Sequence, residues 1–74
     1  MDIYSTPASK ILESACNLSN GETFFVHIGG DDYYEFKNDN GKIAIYDPDQ
    51  ALVFPMTNDS SVLLEAILLL KTFT

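Results

Sequence analysis

The dipeptide Asn40-Gly41 constrains this chain more than any other feature of its sequence. A two-residue hairpin loop needs positive φ at both central positions, which Asn-Gly supplies at little cost, and here it stands between two stretches that alternate apolar and polar residues. With Asp39 opposite Lys42 across the turn, Asn38 faces Ile43, Lys37 faces Ala44, Phe36 faces Ile45 and Glu35 faces Tyr46. The inward residues of both strands then share one face, and a slip of one residue would turn them all outward.

The elements around this hairpin follow from periodicity and turn chemistry. Thr6-Pro7 reads as a helix start, with threonine as cap and proline at the first helical position. The helix is expected from about Pro7 to Leu18, because Ala8, Ile11, Leu12, Ala15 and Leu18 recur at the 3.6-residue period, and Asn20-Gly21 should end it. A first strand is predicted from Glu22 to Ile28, with Phe24, Val26 and Ile28 on one face and His27 outward beside Phe25. Gly29 to Asp32 form a turn, and a second strand runs from Tyr33 to Lys37 with Tyr34 and Phe36 inward and Tyr33, Glu35 and Lys37 outward.

Beyond the hairpin, Asp47-Pro48-Asp49-Gln50 reads as a turn, the other option being a capping box that opens a short helix. Ala51 to Phe54 is apolar and stops at Pro55, as an edge strand would. Asn58, Asp59 and Ser60 offer caps for a final helix from about Ser60 to Lys71. The expected fold is α+β, in the order α-β-β-β-(β)-α: a small single-layer antiparallel sheet of three or four strands, with an N-terminal and a C-terminal helix packed on it. At 74 residues the chain holds one domain. This element order resembles that of double-stranded-RNA-binding domains, but the basic residues their function needs are not here.

A chain of this length buries only roughly 60% of the surface its unfolded form exposes, so its stability is marginal without help. Cys16 is the only cysteine and His27 the only histidine, so neither an intrachain disulfide nor a Cys/His zinc site can supply that help. Oligomerisation or a partner remains. The final helix invites either, since Glu65 is the one polar residue between Val62 and Leu70 and a helix on one sheet needs an apolar stripe only a little over ~100° wide. Two stripes qualify, Leu64 with Leu68 and Lys71, and Val62 with Leu69 and Phe73; Leu64, Leu68, Leu69 and Phe73 are the candidate interface of a homodimer.

Eleven acids against four lysines, with no arginine, give a net charge of −7. That sign, and the lack of the side chain that reads phosphate and guanine bidentately, argue against direct nucleic-acid binding. Six acids lie between Asp31 and Asp49, and most of them serve turns in the plainest reading. In the functional reading, Asp31, Asp32, Tyr33, Glu35, Tyr46, Asp47 and Asp49 form a negative surface with tyrosine anchors, shaped for a basic site on a partner protein. Its extreme form is nucleic-acid mimicry, as in small inhibitors carried by phages and mobile elements. The alternative is a structural or assembly subunit that oligomerises through the apolar final helix.

Other chemistries find little support. Asn38 to Gly41 offers part of a calcium loop, but Phe36 stands where the first acidic ligand belongs and the closing glutamate is missing; Asp47 and Asp49 could hold a divalent ion only weakly. Gly29-Gly30 is followed by two aspartates that would repel a phosphate. His27 has no serine or cysteine partner in sequence, and Cys16, with Lys10 the one cation near it, reads as a buried small hydrophobe. No residue is assigned a catalytic, cofactor or metal role, so a binding protein is expected rather than an enzyme.

Met1 to Thr6 lack the basic and apolar regions of a secretory signal, and one thiol fits a reducing, cytoplasmic setting. The Asn-x-Ser/Thr matches at Asn17 and Asn58 matter only outside the cell. Val62 to Leu70 is half the ~20 residues a bilayer span needs.

Overall fold

A computed structural model describes residues 1–73. Helix α1 (Ala8–Cys16) is followed by β1 (Thr23–Gly29), β2 (Asp32–Asp39), β3 (Lys42–Tyr46) and helix α2 (Ser60–Phe73). The strands form one antiparallel sheet in the order β1-β2-β3, so the fold is α+β with both helices on one side of a single sheet.

The β2–β3 register is the one Asn40-Gly41 implies, from Asp39 opposite Lys42 to Glu35 opposite Tyr46. Asn40 and Gly41 have φ of 54° and 90°, both in the left-handed region that this turn requires. Replacing Gly41 by alanine meets open space but a forbidden backbone, so Gly41→Ala should lower the unfolding free energy by about 1–2 kcal/mol in a urea titration.

Val26, Tyr34, Phe36, Ile43 and Ile45 point to the helices and are buried together with Ile11 and Ala15 of α1 and Leu63, Ala66, Ile67 and Leu70 of α2. Ala8, Leu12 and Leu18 pack at the margin of this core, as their helical spacing implies. The two helices also pack on each other. Phe36 stacks on Phe24 across β1 and β2, with ring centroids 4.9 Å apart.

The start of α1 differs from the expected cap. The residue at the cap position is Pro7, and no side chain caps the helix. Thr6 instead donates its N–H back to the Asp2 carbonyl at 3.0 Å, which places it in a preceding turn. The helix also stops two residues early, at Cys16. Asn20 and Gly21 serve the hairpin rather than the helix end: Gly21 N–H donates to the Asn38 carbonyl at 2.8 Å, and Asn20 Oδ1 accepts from Asn40 N–H at 2.8 Å. The Asn38 side chain completes this clasp by donating to the Leu18 carbonyl and accepting from Gly41 N–H. A polar residue at an inward position is thereby satisfied at both ends.

Cys16 is exposed, not buried. One residue past Ala15 the helix has turned by about 100°, away from the core that Ala15 faces.

Residues 51–57 do not form a fourth strand. Leu52 bridges Tyr46 and Thr57 bridges Ile43, so two extra residues intervene between these contacts relative to a regular ladder. The excess falls at Phe54, Pro55 and Met56, where proline can donate no ladder bond. The expected turn at 47–50 is present: Asp47 Oδ1 accepts the N–H groups of Asp49 and Ala51 at 2.9 Å each, and Gln50 adopts φ of 69°.

The N-terminal arm supplies part of the core. His27 N–H donates to the Met1 carbonyl at 2.7 Å and Ile3 N–H to the His27 carbonyl at 2.9 Å, a short parallel pairing on the outer edge of β1. Ile3 is 1% exposed, and Lys71 Nζ near the end of α2 donates to its carbonyl.

Asp59 caps α2. Its Oδ1 accepts from the Ser61 N–H at 2.9 Å and the Ser61 hydroxyl at 2.7 Å, and the hydroxyl bond, followed by the backbone ones, holds its carboxyl below the usual 3.8. A depressed folded pKa contributes stability that is present above the unfolded value and lost as pH falls through the folded one. Asp59→Asn keeps a capping oxygen without the titration, so its stability should fall less steeply than the wild type's below about pH 4 in acid titrations followed by circular dichroism.

Candidate functional site

Helices cover one face of the sheet, and the other face has no layer on it. Alternation along the strands sends Thr23, Phe25 and His27 of β1, Tyr33, Glu35 and Lys37 of β2, and Ala44 and Tyr46 of β3 to this uncovered side. Phe25, Glu35 and Tyr46 are direct cross-strand neighbours, so a carboxylate stands between two aromatic rings. Tyr33 stands on the same strand as Glu35, two residues before it. Its ring meets Phe25 edge to face at 4.7 Å and His27 at 5.9 Å. Phe25 and Tyr33 remain 43% and 37% exposed, enough to make them a contact surface in addition to a local cluster.

The antiparallel order brings the start of β2 and the end of β3 to the same end of the sheet. Asp31 and Asp32, both exposed, lie at the β1–β2 turn there, and Asp49 is exposed in the loop after β3. Of the seven residues expected to form a partner surface, Tyr33, Glu35 and Tyr46 share the uncovered face, Asp31 and Asp32 border its end, and Asp49 is exposed in the loop after β3.

Asp47 stands apart from them. One of its oxygens serves the turn, and its charge acts on Tyr34, whose phenol is raised above its usual value mainly by burial, with Asp47 and Tyr4 adding to the effect. Phe25 belongs with the aromatic patch although the acid-centred reading of the sequence did not include it. The signal was available, since Phe25 alternates against Phe24 and Val26.

Lys37 lies on the same face, opposite Thr23 and Ala44. Among the described residues the one ion pair joins Lys10 and Glu13 on α1, so neither Glu35 nor Lys37 is neutralised by a close partner. Ala44 is fully buried despite its outward position, because its methyl group is too short to clear the longer side chains around it.

Comparison with known proteins gives no match. No family model fits the chain, and no curated protein or solved structure is significantly similar to it. The site therefore has to be read from its own chemistry. Among the described residues no group of three or more His, Cys, Asp or Glu side chains could hold a metal ion, and no helix is long and apolar enough to cross a membrane. His27 stands beside the Tyr33 ring, which offers it no carboxylate for orientation and no nucleophile to activate.

On α2, Leu64 is half-buried, while Leu68 and Leu69 are exposed at 49% and 40% and Phe73 at 73%. The four candidate interface residues do not form one surface. Leu64 is partly covered by the chain itself, and Leu68 projects to the solvent side near Glu65.

Proposed function

We propose that this chain is a small binding module, an inhibitor or adaptor, that engages a basic surface of another protein through the uncovered face of its sheet. The observation that carries the reading is the row Phe25, Glu35, Tyr46 with Tyr33 beside it, an exposed aromatic patch with a carboxylate at its centre on a chain of charge −7. Tyrosine and arginine are the residues that dominate interface energetics, and an arginine or lysine from the partner would find here both ring faces and a counter-charge. Asp31 and Asp32 at the border, with the exposed Asp49 of the loop after β3, steer such a partner and raise its association rate, a contribution that salt screens.

A basic surface of this kind is what nucleic-acid-binding proteins present, so occlusion of such a site is the form of inhibition this face suits best. Binding without catalysis accords with the setting of His27. The exposed thiol of Cys16 accords with a reducing, cytoplasmic environment.

The test is capture by the immobilised chain, comparing the wild type with the combined Asp31→Lys, Asp32→Lys and Glu35→Lys variant. Basic proteins retained by the wild type, released by moderate salt and not retained by the variant are the expected outcome. Equal retention by both would contradict the reading.

A further inference from the structure

The apolar surplus of α2 is exposed at Leu68 beside Glu65 on one flank and at Val62, Leu69 and Phe73 on the other. Leu63, Ala66, Ile67 and Leu70 face the core; on the first flank Leu64 is half-buried and Lys71 is tied to the Ile3 carbonyl, which leaves Leu68 as its one exposed apolar side chain. On the opposite flank Val62, Leu69 and Phe73 are exposed at 48%, 40% and 73%. With Ala66 between them they are spaced by four, three and four residues, the seam spacing of two packed helices. The seam borders an apolar groove of about 380 Å³, walled on its far side by Pro55 and Met56 and with Ala66 and Ile43 among its lining.

We propose that a second copy of this chain fills the groove, with the two α2 helices packed antiparallel about a twofold axis between Ile67 and Leu68. The sizes along the seam select that arrangement. In antiparallel register Phe73 of one copy meets Val62 of the other, and Leu69 meets Ala66, so each contact sets a larger side chain against a smaller one. A parallel pair would crowd Phe73 on Phe73 and leave a hole where Ala66 meets Ala66. Such a contact is isologous, each residue pairing reciprocally, and therefore closes at a dimer.

The surface available is of the right order. A pair at the low end of stable interfaces takes roughly 600 Å² from each copy, about a seventh of the chain's 4409 Å². A 14-residue helix ~21 Å long together with the groove wall supplies a strip of that scale. Glu65 is the one charged residue lining the groove, and the acid-bordered sheet face lies on the other side of the sheet from α2. Two copies can therefore approach without opposing their aspartates, and the sheet face stays open in the pair. The dimer does not depend on what that face binds. Because each copy carries −7, added salt should tighten this association, whereas it should weaken the binding of a basic partner.

Sedimentation equilibrium over micromolar to hundreds-of-micromolar concentrations tests the association. The mass of the wild type should rise from 8.2 kDa toward twice that value. Leu69→Glu, at an exposed position, should stay at the monomer mass with an unchanged circular dichroism spectrum. Disulfide trapping tests the register: in a Cys16→Ser background, Val62→Cys chains mixed with Phe73→Cys chains should cross-link to each other, and neither should cross-link to itself. A wild type that stays at 8.2 kDa throughout, a Leu69→Glu variant that still dimerises, or efficient cross-linking of Val62→Cys to itself would each overturn the proposal.

Discussion

Ile3→Asp should leave most molecules unfolded at 25 °C, although residue 3 precedes every regular element. Ile3 is 1% exposed, and its backbone pairs with His27 on one side while its carbonyl accepts from Lys71 on the other. A carboxylate placed there has no cationic partner at hand, because the Lys71 ammonium reaches the backbone rather than the side-chain pocket. Burying an unpaired charge lies in the tail of mutational effects, above ~4 kcal/mol, and a domain of this size commonly has little more than that in total. Ile3→Val, which removes one methylene, should cost only about 0.5–1.5 kcal/mol. Urea unfolding of the three proteins checks both values. An Ile3→Asp midpoint close to the wild type's would mean the arm is not part of the core in solution.

The arm also marks where sequence reasoning loses its signal. One isoleucine in six residues has no periodicity, and its value comes from the outer edge of β1, which only the tertiary arrangement defines. The same holds for the clasp of Asn20, Gly21 and Asn38, made of residues whose turn preference is local but whose distant partners are 17 to 20 positions away. By contrast, the hairpin register was legible because a turn with one demanded conformation and a period-two pattern agree on it. The broken pairing of residues 51–57 shows the reverse case: an apolar run reads as a strand, but Pro55 disrupts the ladder it would need.

The candidate site divides along similar lines. Tyr33, Glu35 and Tyr46 could be assigned to one face from alternation alone, and Phe25 as well. Asp47 could not be separated from its neighbours, because its role as acceptor in its own turn depends on the chain path around Gln50. On α2 the choice between two apolar stripes was closed to sequence analysis, since the helix is apolar around most of its circumference. The core contacts and the tie between Lys71 and Ile3 cover part of one stripe and leave Val62, Leu69 and Phe73 of the other exposed.

The combined Asp31→Lys, Asp32→Lys and Glu35→Lys variant should lose partner binding by about 100-fold or more at low salt. Each reversal adds two positive charges, so the net charge moves from −7 to −1. Exposed pairs individually contribute only ~0.2–1 kcal/mol, but like charges set against a basic partner cost several kcal/mol, and Glu35 stands inside the aromatic patch rather than at its rim. The fold should survive. Asp31 and Asp32 are exposed, Glu35 is half-buried on the uncovered face, and none of the three takes part in a cap or turn bond comparable with those of Asp47 or Asp59.

The most direct measurement of the central claim is a nuclear magnetic resonance titration of the isotopically labelled chain with an arginine-rich peptide at moderate ionic strength. Saturable shifts confined to Phe25, the β1–β2 turn, Tyr33, Glu35 and Tyr46, absent from the triple variant and leaving α2 undisturbed, are the result this account requires. Shifts scattered without saturation over remote acids such as Glu13, Asp59 and Glu65 would contradict it and reduce the acidity of the chain to a solvated surface.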